Sequence, residues 1–300
     1  MDLAALEIFK AVVDQGGVNR AAAALHRVPS NVTARVKQLE DQLGTQLFLR
    51  DGRRLVLSAE GKLLLNYANE LLRISGEARA AMRGGRPQGV LRLGALDSTA
   101  AARLPPILSK FHSLYPEVRV ELVTGTSGAL VQRVQSQDVE AALVAEPFNS
   151  GGLETTVAFI EEIVLITAKG GRAVRRPCEI GNLTVIAFTE GCSYRKRLEA
   201  WLATDKVQPE RVMEFQSYHA IVACVAAGSG IAVVPRAILP LTHAGDNLTT
   251  TPLPAKIAKS RTQLVWRNGH RSQTLAAMQQ LFAGNAKPAR KPPRKARSRG

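Results

Sequence analysis

Three hundred residues is about twice the size of one typical domain, so two or three domains are expected. A chain with 45% hydrophobic and 5% aromatic residues is no disordered segment, collagen-like sequence or disulfide scaffold. The net charge of +15 is uneven: residues 286–300 hold seven of the 40 Lys and Arg and no acid, and the basic balance of the rest suits a polyanionic partner.

Residues 1–57 predict three short helices and a hairpin. Leu3, Leu6, Phe9, Val12 and Val13 recur at helical spacing, and Gly16-Gly17 ends that run. Asn19 is the expected cap of a second helix through the small residues Ala21, Ala22, Ala23, Ala24 and Leu25. After the turn His26-Arg27-Val28, Pro29 stands where a first helical residue tolerates proline, because that N–H has no helical partner in any case. The third helix carries the stripe Val32, Val36, Leu39 and Leu43, and Gly44 stops it. Residues 46–50 and 54–58 alternate across Asp51-Gly52-Arg53, which predicts a two-stranded wing.

Ser58 is a good cap for a long helix over 59–83, ~37 Å at 1.5 Å per residue. Its apolar set (Leu64, Leu65, Ala68, Leu71, Leu72, Ser75, Ala78, Met82) needs a partner surface, most simply its own copy in a second chain. Residues 84–89 read as a hinge. Beyond it, strands are expected at 90–96, 118–124, 140–145, 163–168, 183–188, 231–235 and 262–266. Helices are expected at about 99–114, 128–137, 194–203, 218–228 and 272–283. That alternation predicts α/β organisation with mainly parallel sheets, in two small lobes. The domain plan is therefore 1–58 as an all-α head with a wing (its helix-turn-helix at about 19–38), 59–86 as linker helix and hinge, and 87–285 as the α/β domain. Lobe I takes about 90–164 and 266–285, lobe II about 165–265, and 286–300 is expected to be a disordered basic tail.

The strongest chemical signal lies in residues 19–40. Small alanines let two helices approach closely, and a three-residue turn completes a helix-turn-helix. The outward face of the second helix offers Pro29, Ser30, Asn31, Thr33, Ala34, Arg35 and Lys37. Hydroxyl and amide side chains can read base edges, while Arg and Lys neutralise phosphates or pair with guanine. Arg50, Arg53 and Arg54 of the wing would flank the groove and grip the backbone. The bland alternative is a helical hairpin with a solvated polar face.

The stretch AAAALHRVPSNVTARVKQLEDQLGTQLFLRDGRRLVLSAEGKLLL resembles the N-terminal signature of LysR-type transcriptional regulators. The match covers about 65 residues closely, and the remaining organisation agrees to about residue 285. The resemblance implies a winged helix-turn-helix joined by a long helix to an effector domain like a type 2 periplasmic binding protein. It implies double-stranded DNA as partner, self-association through the linker helix into dimers and then tetramers, and a small-molecule co-inducer of unidentified structure. RNA polymerase is a further candidate partner, and neither a cofactor nor catalysis is expected. Pro29-Ser30 stands where the family often has Gln-Pro, and Thr33-Ala34 where many members show Ser-Arg, so operator preferences do not carry over. The segment Val28–Arg35 is similar to a subgroup that includes putrescine-utilisation regulators.

The resemblance also implies an effector between the lobes, where strand ends and helix starts converge and free N–H groups gather. The candidates are Ser98 and Thr99, Thr126 and Ser127, Glu146, Ser193, Tyr194 and Arg195, and Tyr218 with His219. Hydroxyls with free N–H groups suit a carboxylate, whereas Asp97, Glu146 and Glu190 suit an amine; an amino acid or a polyamine-derived effector satisfies both. Simple helix capping is the competing explanation for each Ser or Thr.

Cys178, Cys192 and Cys224 form no CxxC or Cys/His cluster, so no metal is expected and a reducing compartment fits. The acidic start MDLAALEIFKAVVDQGG is unlike a signal peptide, and no run nears the ~18 apolar residues of a membrane span, so a cytoplasmic location without membrane contact is expected. His219 and Cys224 lie five residues apart on one expected helix and make no catalytic dyad. Gly228-Ser229-Gly230 follows a helix and so is a turn, not a phosphate loop. A solute receptor, an α/β enzyme and a DNA-compacting protein are the rival readings. The missing export signal and the absence of nucleophile, metal or dinucleotide motifs weigh against the first two, and thermal-shift screening for a ligand would separate the third.

Overall fold

A computed structural model describes residues 1–51, 54–82, 86–172, 174–242 and 244–285. The expected tail at 286–300, the wing residue Arg53 and most of the glycine-rich hinge lie outside them. The chain divides into two compact units, Met1–Arg86 and the residues from Pro87 onward.

The first unit holds α1 (Leu3–Asp14), α2 (Val18–Ala24), α3 (Pro29–Leu43), β1 (Phe48–Asp51), β2 (Arg54–Leu57) and α4 (Ala59–Met82). Local chemistry sets the boundaries. Asp2 caps α1 by accepting from the Ala5 N–H at 2.7 Å. Gly44 ends α3 at φ 68°, the left-handed conformation glycine adopts at least cost. Ser58 donates to the Gln46 carbonyl and accepts from the Gly61 N–H at 2.8 Å, which starts α4. Val18, not Asn19, is the first residue of α2, whose cap is Gly17 without a side-chain bond.

Two small cores hold this unit. Phe9, Leu6, Leu39, Leu47 and Ala68 form one; Ile8, Val12, Ala21, Ala22, Val32 and Val36 form the other. Each buried large apolar side chain contributes ~1.5–3 kcal/mol. Antiparallel β1 and β2 make the wing, and the Glu40 carboxylate on α3 holds its base by accepting from the N–H groups of Leu47 and Phe48. The expected partner stripe on α4 is split. Leu64, Leu65, Ala68 and Leu72 pack on the unit's own core, so the exposed apolar line is instead Leu63, Tyr67, Leu71 and Ile74.

The second unit continues with β3 (Gly89–Ala95), α5 (Asp97–Ala102), α6 (Leu104–Leu114), β4 (Val118–Thr124), α7 (Ser127–Gln135), β5 (Ala141–Ala145) and β6 (Leu153–Ala168). Then come β7 (Val185–Phe188), α8 (Ser193–Thr204), β8 (Val212–Phe215), α9 (Tyr218–Ala226) and β9 (Ile231–Pro235). The unit closes with β10 (Leu248–Pro252), α10 (Ala255–Ala258), β11 (Lys259–Arg267) and α11 (Gln273–Asn285). Lobe I is built on the order β4-β3-β5-β11-β6 and lobe II on β6-β9-β7-β8, with β10 on the other side of β6.

The strand β6 serves both lobes. Leu153–Glu162 pair with β11, whereas Ile163–Ala168 pair with β9 and β10. Two expectations are thereby corrected. The sheets are mixed, not mainly parallel, because β6 and β11 run antiparallel to each other and to their neighbours. The strand at 262–266, expected in lobe II, belongs to lobe I, because the return crossing comes at Lys259.

Candidate functional site

Two surfaces have the chemistry for binding, one in each unit. In the first, α3 buries Val32, Val36 and Leu39, which turns its other face outward. Pro29, Ser30, Asn31, Thr33, Ala34 and Lys37 are exposed there, and Arg50 is exposed on β1. Thr33 and the neighbouring Arg35 are already engaged. Thr33 Oγ1 donates to the Pro29 carbonyl at 3.0 Å within its own helix. Arg35 is half-buried, donating to Gln38 at 3.0 Å and pairing with Asp2 at 3.4 Å. The Ala5 N–H, chiefly, and then Arg35 hold the Asp2 carboxyl below its usual range. Asp2 is thus a cap and a tether for a cation of α3, a role that only the fold reveals. Arg54 lies on β2; Arg53 is outside the described residues.

The second surface is the seam where lobe I meets lobe II. From lobe I, β3 runs into Asp97, Ser98 and Thr99, the last two buried. From lobe II come Cys192 and Tyr194 at the start of α8 and Tyr218 with His219 at the start of α9; of these only His219 is exposed. Phe188 stacks on Tyr218 with ring centres 4.9 Å apart, and Cys192 Sγ lies 3.9 Å from the Tyr218 hydroxyl. Among the described residues the buried hydroxyls of Ser98, Thr99, Tyr194 and Thr262 have no hydrogen-bond partner of normal geometry. Ser98 and Thr262 make only loose hydrogen-bond contacts with the Tyr194 hydroxyl, and the Glu161 carboxylate acts on it through its charge, so these groups converge on one spot. Buried polar atoms are nearly always well satisfied, which makes this poorly satisfied group of hydroxyls the most informative feature of the unit.

The electrostatics sharpen the description. Burial raises the Asp97 carboxyl above its usual range, and His219 across the seam partly offsets this. Burial also raises the Tyr194 and Tyr218 hydroxyls and the Cys192 thiol. Cys192 is therefore a packing thiol, since a reactive one needs a depressed pKa. Glu161, 3% exposed, takes both prongs of the Arg103 guanidinium at 2.8 and 2.9 Å, and Arg103 lies over the Phe159 ring.

Other sequence-predicted residues have different work. Ser193 Oγ donates to the Ala145 carbonyl at 2.6 Å and lies 2.8 Å from Ser127 Oγ, so the two serines bolt α8 to α7. Thr126 caps α7 through the Ala129 N–H. Gly191 sits at φ +83°, and a Cβ there would stand 2.9 Å from Thr126 Oγ1, which is how closely the lobes approach. Glu146 is turned away from the hydroxyl cluster, onto Arg261 and Gln263. Arg195 is spent on Glu199 and Glu214. Arg103, Glu161, Phe188 and Thr262 join the site without having been singled out in the sequence, whereas Asp97 was expected there as a partner for an amine. Among the described residues no His, Cys, Asp and Glu group could hold a metal ion, and no helix is long and apolar enough to cross a membrane.

Comparison with known proteins agrees across both units. Residues 3–62 match the family model "Bacterial regulatory helix-turn-helix protein, lysR family", and residues 84–287 match "LysR substrate binding domain". The chain is 36% identical over 268 residues to the uncharacterised HTH-type transcriptional regulator YusT of Bacillus subtilis, covering 89% of this chain and 90% of that one. It is 35% identical over 240 residues to the HTH-type transcriptional regulator GltR of the same organism, covering 80% and 81%. Among solved structures, a full-length OxyR variant from Pseudomonas aeruginosa matches with a TM-score of 0.75 at 21% identity over 94% of each chain. Full-length CbnR complexed with its target DNA matches with a TM-score of 0.65 at 20% identity, over 95% of this chain and 100% of that one.

Proposed function

Because this chain belongs to the LysR family of transcriptional regulators, which bind DNA and are not enzymes, we propose that α3 reads its operator and that the hydroxyl cluster between the lobes takes its effector. The unmet hydroxyls of Ser98, Thr99, Tyr194 and Thr262 carry the second half of that reading. A ligand supplying polar atoms there removes a standing desolvation cost, so the site favours a polar molecule over an apolar one. Asp97 faces the same seam and suits an amine, while the hydroxyls suit a carboxylate or carbonyl; an amino acid or polyamine-derived effector uses both. The likeness of Val28–Arg35 to putrescine-utilisation regulators points to the amine end of that class, although neither curated relative named above is described in those terms.

In the head, Ser30, Asn31, Arg35 and Lys37 address base edges, with Arg50, Arg53 and Arg54 on the flanking phosphates. The exposed line Leu63, Tyr67, Leu71 and Ile74 on α4 pairs with its copy in a second chain. The two α3 helices then enter successive major grooves ~34 Å apart on an inverted repeat. Dimers of such dimers, a cytoplasmic location and contact with RNA polymerase complete the reading. The effector acts by favouring one arrangement over another, since equal affinity for both shifts nothing.

The test is direct. Genomic fragments retained by the full chain at low ionic strength define the operator, and a thermal-shift screen of amines, amino acids and carboxylates against Ser98→Ala and wild type defines the effector. A hit that stabilises both proteins equally refutes the site, and retention of no fragment refutes DNA recognition.

A further inference from the structure

A second groove of about 630 Å³ lies between the lobes and shares no lining residue with the hydroxyl cluster. Lobe I contributes Glu146, Phe148 and Gln263 to it; lobe II contributes Lys196, Arg197 and Lys256. The Ser127–Ser193 bolt separates the two places, for Ser193 Oγ also donates toward the Pro147 carbonyl at the groove's rim. The volume falls within the range of small-molecule pockets.

The charges in this groove do not balance. Lys196 and Lys256 are exposed, and among the described residues neither has an ion-pair partner. The half-buried Arg197 guanidinium meets only backbone carbonyls, those of Glu146 at 3.1 Å, Ile257 at 3.2 Å and Lys256 at 3.4 Å. The lining carboxylate, Glu146, is already committed to Arg261 and Gln263. Three lining cations, Lys196, Arg197 and Lys256, thus face one carboxylate, in a concave site where low-dielectric walls strengthen the field. Burial lowers the Arg197 pKa, and the charge of Glu146 offsets this only in part.

We propose that this groove is a second ligand site, selective for a small anion with more than one carboxylate or phosphate charge, held between Lys196 and Lys256. Arg197 is a positioning residue: it ties α8 to the end of β5 and to α10, and so fixes the spacing of the two lysines. An occupant touches both lobes, so its affinity depends on their relative angle. The lobe angle is also what an effector at the hydroxyl cluster would bias, and two ligands acting on one equilibrium change each other's affinity by the same factor.

The chain's two tryptophans are Trp201, next to groove residue Ala200, and Trp266, three positions beyond Gln263. Both belong to the second unit, so their fluorescence reports this unit and not anions held by the basic head. Citrate and inorganic phosphate are titrated into the full chain at constant ionic strength, with chloride as control. The expected result is a saturable fluorescence change with citrate and phosphate and none with chloride. The K196Q/K256Q double variant should bind roughly tenfold more weakly or worse, since each lost charge-assisted contact is worth about that factor. K196R/K256R should keep binding. A double Gln variant that binds as well as wild type, or no saturable change at all, would overturn the proposal. Loss at the hydroxyl cluster alone, with the groove response intact, would refute the effector reading and leave this one standing.

Discussion

Replacing Tyr194 by Phe should stabilise the free protein and abolish its response to effector. The ring stays, and with it the packing of a residue only 2% exposed in the larger core. What disappears is a buried hydroxyl with no hydrogen-bond partner of normal geometry, raised in pKa by burial first and by the Glu161 carboxylate second. An unmet buried hydroxyl costs ~1–3 kcal/mol, so its removal should return about 1 kcal/mol after allowing for weak contacts with Ser98 and Thr262. For a unit of some two hundred residues that is a rise in Tm of roughly 2–4 °C. Effector at 100 times its dissociation constant adds about 2.7 kcal/mol to wild type, and most of that increment should vanish in the variant. Differential scanning calorimetry with and without ligand measures both effects. A variant that is less stable than wild type by 1 kcal/mol or so, with an unchanged ligand increment, would mean that the hydroxyl is satisfied within the protein and that the cluster is structural.

Other perturbations separate the remaining roles. Arg35→Ala should erase operator footprints while leaving circular dichroism and oligomeric state intact; a normal footprint would show that the Asp2–Arg35 pair is only a brace. Arg50→Ala should weaken binding to all DNA alike and lower the slope of log K against log salt by about 0.9, and an unchanged slope removes β1 from the phosphate contacts. Leu71→Glu on α4 should dissociate the assembly in sedimentation velocity, whereas Leu72→Glu, on the face packed into the unit's own core, should destabilise the head instead. Asp97 supplies a pH test. Burial raises its folded pKa, so its ionisation works against the native state, and its contribution to stability falls as pH rises through that raised value. Asp97→Asn should therefore gain stability over wild type at neutral pH and lose the advantage toward pH ~3.8, the ordinary carboxyl value; parallel melting curves at all pH values would refute this.

The head was legible in the sequence because its constraints are local. Gly44, Pro29 and Ser58 each fix a helix boundary through the residue's own backbone chemistry, and the stripe Val32–Val36–Leu39 buries where its period puts it. The long helix was legible in extent but not in facing. Leu71 and Leu72 are equally apolar, and only the position of α1 decides which of them is covered. The β6 strand was half hidden. Ile163–Ala168 is a continuous apolar run, whereas Leu153–Glu162 mixes Thr and Glu into a segment whose pairing with β11 comes from a distant part of the chain. Likewise β10 (Leu-Thr-Thr-Thr-Pro) shows little apolar pattern, because it packs at the edge of β6 with several residues exposed.

The hydroxyl cluster proposed for the effector was legible as a location more than as a set of roles, and the reason is physical. A hydroxyl at a helix start can cap its own helix, bond to a neighbouring lobe or wait for a ligand, and the residue type is the same in each case. Thr126 does the first, Ser127 and Ser193 do the second, and Ser98, Thr99 and Tyr194 do neither, which is why the third is proposed for them. The distinction depends on whether a partner from β11 or from the other lobe arrives within bonding distance. Thr262, more than 160 positions from Ser98 in sequence, could join the cluster only through the crossing of β11. Arginine shows the same dependence on context. Arg195 looked available at a helix start, yet Glu199 one turn on and Glu214 on β8 consume it, while Lys196 beside it lines the second groove with no ion pair among the described residues. In this fold unmet hydrogen-bonding capacity and unmet charge are what distinguish a binding residue from a capping or bracing one, and both are properties of the folded neighbourhood.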